Sequence, residues 1–133
     1  MKSKKTKHKR VIMLVDDNLD LLYSVKKGLE SLSKYEVVTV ESGKKCLNLL
    51  KSMKPDLILL DIMMPSMDGW DVCAKIKSDK KTENIPIVFL TAKTDPISKS
   101  MGMLASADYI TKPFDMKDLK KRIDSVIKFK NKK

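Results

Sequence analysis

Three short stretches of this chain are apolar at nearly every position, and few folds accommodate that pattern. They are Val11-Ile12-Met13-Leu14-Val15, Leu57-Ile58-Leu59-Leu60 and Ile85-Pro86-Ile87-Val88-Phe89-Leu90, each of strand length. A strand with one wet face alternates apolar with polar residues. A strand without alternation is covered on both faces, and such strands belong to parallel sheets with helices above and below. Helical patterns fill the intervals. Asn18 is a cap candidate ahead of Leu22, Val25, Leu29 and Leu32, spaced by three and four. Ser42 stands ahead of Cys46, Leu49, Leu50 and Met53, with Lys54-Pro55 as the stop. Trp70, Val72, Cys73 and Ile76 fit a short third helix that runs out in the polar stretch 78–84. Ile97, Met101, Leu104 and Ala105 suggest a fourth, interrupted by Gly102. Leu119, Ile123, Val126 and Ile127 mark the inward face of a fifth. Glu36-Val37-Val38-Thr39-Val40 and Asp108-Tyr109-Ile110-Thr111 supply two more strands. Five strand–helix alternations predict an α/β fold, a doubly wound five-stranded parallel sheet with right-handed crossovers.

A chain of 133 residues with 42% apolar content can bury one core of its own, without a disulfide or metal staple. Of the formal +11, residues 1–10 carry +6 and the lysines from position 128 onward carry +4. Residues 11–127 therefore carry only about +1, and the folded part is expected over 11–129, between a basic tail at 1–10 and another at 130–133. Solvated ends are the simpler reading of both tails. Attachment to nucleic acid or an anionic membrane is the sharper one, but neither 1–10 nor 130–133 places an aromatic among its lysines. Cys46 and Cys73 fall on helical patterns and read as small buried hydrophobes in a reducing compartment. The one histidine, His8, lies in the lysine tail, which argues against a Ser-His-Asp triad or a histidine metal site. No apolar run of about 18 residues exists to span a membrane, and no signal-peptide core follows the basic start. A cytoplasmic location is expected.

Chemistry gathers where the strands stop. The first ends in Asp16-Asp17, the third in Asp61, the fourth in Thr91 and the fifth in Lys112. A parallel sheet brings its carboxyl ends to one edge, where ligands bind in such folds. Three crowded carboxylates repel unless a cation offsets them, and a hard divalent ion such as Mg2+ suits oxygen ligands. A hydroxyl and an ammonium beside that ion suit an anion. The set describes phosphoryl transfer, in which positioning and charge neutralisation do most of the catalysis and a carboxylate can be the nucleophile.

In this order the motifs resemble the receiver domain of two-component response regulators, of the single-domain chemotaxis type. The resemblance covers nearly all of 11–129. It rests on Asp16-Asp17, on the loop D-I-M-M-P-S-M-D-G from Asp61 to Gly69, on Thr91-Ala92, and on Tyr109-Ile110-Thr111-Lys112-Pro113-Phe114. It implies a flavodoxin-like (βα)5 fold with strand order 2-1-3-4-5. It implies Asp61 as phosphoacceptor, taking a phosphoryl group from a phosphohistidine or a small donor. Asp16, Asp17, Asp61 and the backbone carbonyl of Met63 would hold Mg2+, with Mn2+ as the alternative. Thr91 and Lys112 would contact the phosphoryl oxygens, Thr91 and Tyr109 would form a switch pair, and Lys112-Pro113 would be a cis peptide. The implied partners are a sensor histidine kinase or phosphotransfer protein, and a target or output domain met through the fourth helix, fifth strand and fifth helix. A homodimer is a further partner to consider; nucleic acid is not expected for this domain.

Taken singly, the same residues have plainer roles. Asp16 or Asp17 could cap a helix, Asp68-Gly69 could be only a turn, Tyr109 half-buried core and Thr91 an ordinary strand residue. Two rival functions stay open at this level: a Mg2+-dependent phosphohydrolase, and a basic-tail binder with a degenerate receiver core. The first is disfavoured because Met63 stands where a dehalogenase-like phosphatase would keep its acid, and the second because the acid set is intact. One departure from the family pattern stands out: between Gly102 and Asp108 the chain is about one residue short and lacks a customary glycine.

Overall fold

The computed structural model describes residues 9–131. In chain order the elements are β1 (Val11–Val15), α1 (Leu19–Leu32), β2 (Glu36–Val40), α2 (Gly43–Leu49) and β3 (Leu57–Leu60). Then follow α3 (Gly69–Ser78), β4 (Ile87–Thr91), α4 (Pro96–Ala105), β5 (Asp108–Thr111) and α5 (Met116–Asn131). The strands form one parallel sheet in the order β2-β1-β3-β4-β5, the flavodoxin-like doubly wound arrangement.

Unbroken apolar strands have the consequence expected of them. Alternate residues go to opposite faces, and both faces are covered. Ile12, Leu14, Leu57, Leu59, Val88 and Leu90 pack under α1 and α5, against residues such as Leu29, Leu119 and Ile123. Met13, Val15, Ile58, Leu60 and Phe89 pack on the other face, against Cys46 of α2 and Val72 and Ile76 of α3. Both cysteines are buried free thiols, and burial pushes the Cys46 thiol up to about 12.

Helix starts follow local chemistry. The Asn18 side chain accepts from the Leu21 amide at 3.1 Å, and Ser42 accepts from the Lys45 amide at 3.1 Å. At α3 the caps are reciprocal: Asp68 accepts from the Asp71 amide and Asp71 from the Asp68 amide. Asp95 caps α4 through the Ser98 amide at 3.0 Å, with Pro96 in the first turn.

Three boundaries or faces differ from the sequence reading. α2 ends at Leu49, ahead of the Lys54-Pro55 stop, so Met53 packs on the core from the irregular stretch after the turn at 50–52. β4 begins at Ile87, because Pro86 cannot donate to the ladder, and it extends through Thr91. On α4, the apolar stripe that signals a helix points outward: Ile97 is 73% exposed and Leu104 90%, while Ser98 and Gly102 are buried. The physical reason is that Tyr109 of β5 needs the inward side of that helix, and only a residue without a side chain leaves room for its ring.

Candidate functional site

The sheet order reverses between β1 and β3, which opens a crevice at their carboxyl ends. Val15 and Leu60 are register partners there. The next residues, Asp16 and Asp61, therefore hang side by side. Their backbones are fixed by the same ladder: the Asp61 amide donates to the Val15 carbonyl at 3.0 Å, and the Asp16 amide to the Val40 carbonyl at 3.1 Å. Asp16 is 1% exposed and Asp61 5%, while Asp17 is exposed. Carboxylate oxygens of the three lie within 4.8 Å of one another.

Lys112, just past β5, reaches over this cluster. Its Nζ lies 2.6 Å from Asp16 Oδ2 and 3.6 Å from Asp61 Oδ2. Asp16 Oδ1 also accepts from the Asn18 amide at 2.9 Å, so both of its oxygens are engaged. Asp61 is less well satisfied: its Oδ1 accepts from the Met63 amide at 3.3 Å. Burial, and then the charge of Asp16, push the Asp61 carboxyl above its ordinary range. Lys112, a hydrogen bond from Thr91 and the Met63 amide pull the other way without cancelling this. Thr91 itself is fully buried, and its Oγ1 accepts from the Lys93 amide at 3.3 Å.

The remaining predicted residues sit as follows. The Lys112–Pro113 peptide is cis. The Met63 side chain is 57% exposed, pointing away from the core. The Tyr109 ring is buried against Phe89, with centroids 5.9 Å apart, and Phe89 in turn packs on Trp70 at 5.2 Å. The Tyr109 hydroxyl donates to the Lys93 carbonyl at 2.7 Å, which ties β5 to the loop after Thr91. Asp16, Asp17, Asp61, Thr91 and Lys112 thus converge, and Tyr109 stands one layer away.

Two glycines matter more than the sequence suggested. A Cβ on Gly69 would meet the Asp61 carbonyl oxygen at 2.3 Å, so this position lets the loop fold back over the acceptor strand. The Gly69 amide donates to the Ile62 carbonyl at 2.8 Å to close that loop. The loop also holds Ser66 at φ 67°, a left-handed conformation uncommon outside glycine. On Gly102, a Cβ would meet the Tyr109 ring at 2.1 Å. A glycine inside a helix forgoes about 1 kcal/mol relative to alanine, and that was the signal that a packing reason existed.

Comparison with known proteins agrees with this geometry. A family model described as Response regulator receiver domain matches residues 12–124. Among curated relatives, histidine kinase P4 of Formosa agariphila is 38% identical over 122 residues, 91% of this chain and 9% of that protein. The alkaline phosphatase synthesis transcriptional regulatory protein PhoP of Bacillus subtilis is 36% identical over 118 residues, 88% of this chain and 48% of that protein. The chain therefore spans about half or less of these relatives. Among solved structures, the Vibrio cholerae chemotaxis protein CheY4 superposes with a TM-score of 0.82 at 27% identity, covering 90% of this chain and 99% of that one. The N-terminal domain of a response regulator receiver protein from Methanoculleus marisnigri superposes at 0.71 with 38% identity, covering 87% and 94%. Strand-end acids, sheet order and a family match over 12–124 lead to one assignment: the chain belongs to the response regulator receiver domain family.

Proposed function

We propose that this chain is a phosphorylatable switch with Asp61 as the acceptor, and that 11–129 is the unit that carries it. The observation behind this reading is the acid cluster. Three carboxylates from two neighbouring strands lie within 4.8 Å and face one nearby ammonium, that of Lys112. The excess negative charge, and oxygen-only donors, suit one hard divalent cation. Asp16, Asp17, Asp61 and the Met63 carbonyl would hold Mg2+ or Mn2+. When bound, the ion neutralises charge on the acceptor and on the incoming phosphoryl oxygens.

The chain's own residues do the rest. An Asp61 carboxylate oxygen attacks phosphorus, and the bond from phosphorus to the donor's imidazole nitrogen breaks, its electron pair leaving with the imidazole. The Thr91 hydroxyl and the Lys112 ammonium would take the transferred oxygens, as hydrogen-bond donors and counter-charge. Tyr109, anchored to Lys93 two residues beyond Thr91, couples that event to α4 and β5. A phosphohistidine on a histidine kinase or phosphotransfer protein is the donor this chemistry fits, and the α4–β5–α5 face is the surface for a target. A phosphohydrolase is less well supported, because Met63 offers no acid two residues after Asp61.

Incubation with acetyl phosphate and Mg2+, read by intact mass, tests this. Wild type gains one phosphoryl group, Asp61→Asn gains none, and a chelator suppresses the gain. An unlabelled wild type, or equal labelling of Asp61→Asn, rejects the reading.

A further inference from the structure

The topology sorts charge between the two edges of the sheet. Loops at the carboxyl edge hold Asp16, Asp17, Glu41, Asp61, Asp68, Asp95 and Asp115 against Lys93 and Lys112, so acids outnumber bases there. At the amino edge, Arg10 precedes β1, Lys54 precedes β3, Lys77 ends α3, and Lys128 and Lys130 end α5. Of these, Arg10, Lys54, Lys77 and Lys130 converge. Arg10, Lys54, Asp56 and Lys130 line one hollow of about 250 Å³. The Lys130 Nζ donates to the Asn84 carbonyl at 2.6 Å, and its pKa is lowered by burial and then by Lys54. Asp56 is the acid among them, and it is engaged by Arg10 at 3.7 Å and by the Val11 amide at 2.7 Å. Asp79 and Glu83 on the α3–β4 connection are accompanied by Lys80 and Lys81. Lys9 and Arg10 lead into β1 at this same edge.

Apolar groups stand among these lysines. Leu104 at the end of α4 is 90% exposed, and Phe129, between Lys128 and Lys130, is 66% exposed. They border one groove of about 920 Å³, whose lining also includes Lys77, Lys130 and Trp70. An aliphatic side chain gains nothing from a phosphate backbone, whereas nucleic-acid surfaces use stacked aromatics and arginine forks. Phe129 alone suits either surface, but Leu104 on the same groove as Lys77 and Lys130 matches what an anionic bilayer rewards: acyl contact for the apolar side chains, headgroup attraction for the lysines.

We propose that the amino edge docks on an anionic lipid bilayer, with Leu104 and Phe129 at the headgroup–acyl boundary and Lys54, Lys77, Lys128 and Lys130 among the lipid phosphates. The acids of the opposite edge are repelled by the same surface, so the docked chain holds Asp61 toward water, open to a donor. Docking stands independently of the acceptor reading: a chain that never labels can still bind vesicles.

The test is co-sedimentation of the full chain with phosphatidylcholine vesicles, with or without about 30 mol% phosphatidylserine. The chain pellets with the anionic vesicles only, and salt releases it. The pair Lys54→Gln with Lys130→Gln weakens partition about 25-fold, at about five-fold per cation. Phe129→Ser and Leu104→Ser each weaken it at unchanged charge, and an unchanged melting midpoint keeps the comparison between folded chains. No pelleting on anionic vesicles overturns the proposal. So does vesicle binding that ignores both serine variants, or a short duplex DNA that strips the chain from vesicles.

Discussion

Burial and the neighbouring charge of Asp16 both favour the protonated form of Asp61. An acid whose folded pKa is raised weakens the fold while ionised, and that penalty is relieved as pH falls from neutrality through the folded pKa toward the unfolded value of 3.8. With metal chelated, Asp61→Asn should therefore melt a few degrees above wild type at neutral pH, and the gap should shrink as the buffer is acidified. Taking the difference between the two proteins removes groups of opposite sign, such as Glu30, whose pKa is lowered chiefly by the Val37 amide. Mg2+ should reverse the order: at about 100 times its Kd it adds about 2.7 kcal/mol to wild type and little to Asp61→Asn. Thermal melts with chelator and with metal read both effects. The acids themselves were legible in the sequence, because a carboxylate that ends an unbroken apolar run needs a reason to be there. That Lys112 sits 2.6 Å from Asp16 and 3.6 Å from Asp61 was not legible. That preference depends on how the chain after β5 reaches the end of β1 across β3 and β4, which no local pattern encodes.

Among the elements, α4 was the least readable, and its difficulty has one origin. Its spacing of apolar residues is helical, but the core side of the helix is Ser98 and Gly102. The volume that side chains would fill is taken by Tyr109, whose ring is within 2.1 Å of a Cβ built on Gly102. Gly102→Ala should destabilise the fold by about 1–3 kcal/mol through overpacking, although alanine favours the helix by about 1 kcal/mol. In a Tyr109→Ala background the same change should turn stabilising by about 1 kcal/mol. The double-mutant cycle, measured by urea titration, isolates the glycine–ring contact. A helix propensity effect alone would give the same sign in both backgrounds. α1 was readable because its cap and buried face agree with each other: Asn18 stands ahead of Leu22, Val25 and Leu29, whereas the reciprocal Asp68–Asp71 cap of α3 was not read from the sequence. Boundaries slipped where a stop signal lay beyond the true end, as Pro55 does for α2.

For the molecule as a whole, a receiver domain is a switch rather than a turnover enzyme, and its value lies in holding one geometry until a phosphoryl group changes it. Both core clusters and the acid cluster are drawn from residues 12–127, so a chain trimmed to 9–131 should melt cooperatively within a few degrees of the full chain and label equally on Asp61. Loss of either would place part of the fold in the basic ends. No helix among the described residues is long and apolar enough to cross a membrane. The division of charge between the edges was invisible along the sequence, where lysines and aspartates are interspersed; only the parallel topology separates the loops into two groups. The shared ladder of β1, β2 and β3 carries a last consequence. The Asp16 and Asp61 amides belong to that ladder, bonded to Val40 and Val15. Slipping one strand by a residue would turn its acid to the opposite side of the sheet, so no intermediate spacing is available. In deuterated water these two amide protons should exchange with the slowest group in the chain, at the rate of global unfolding.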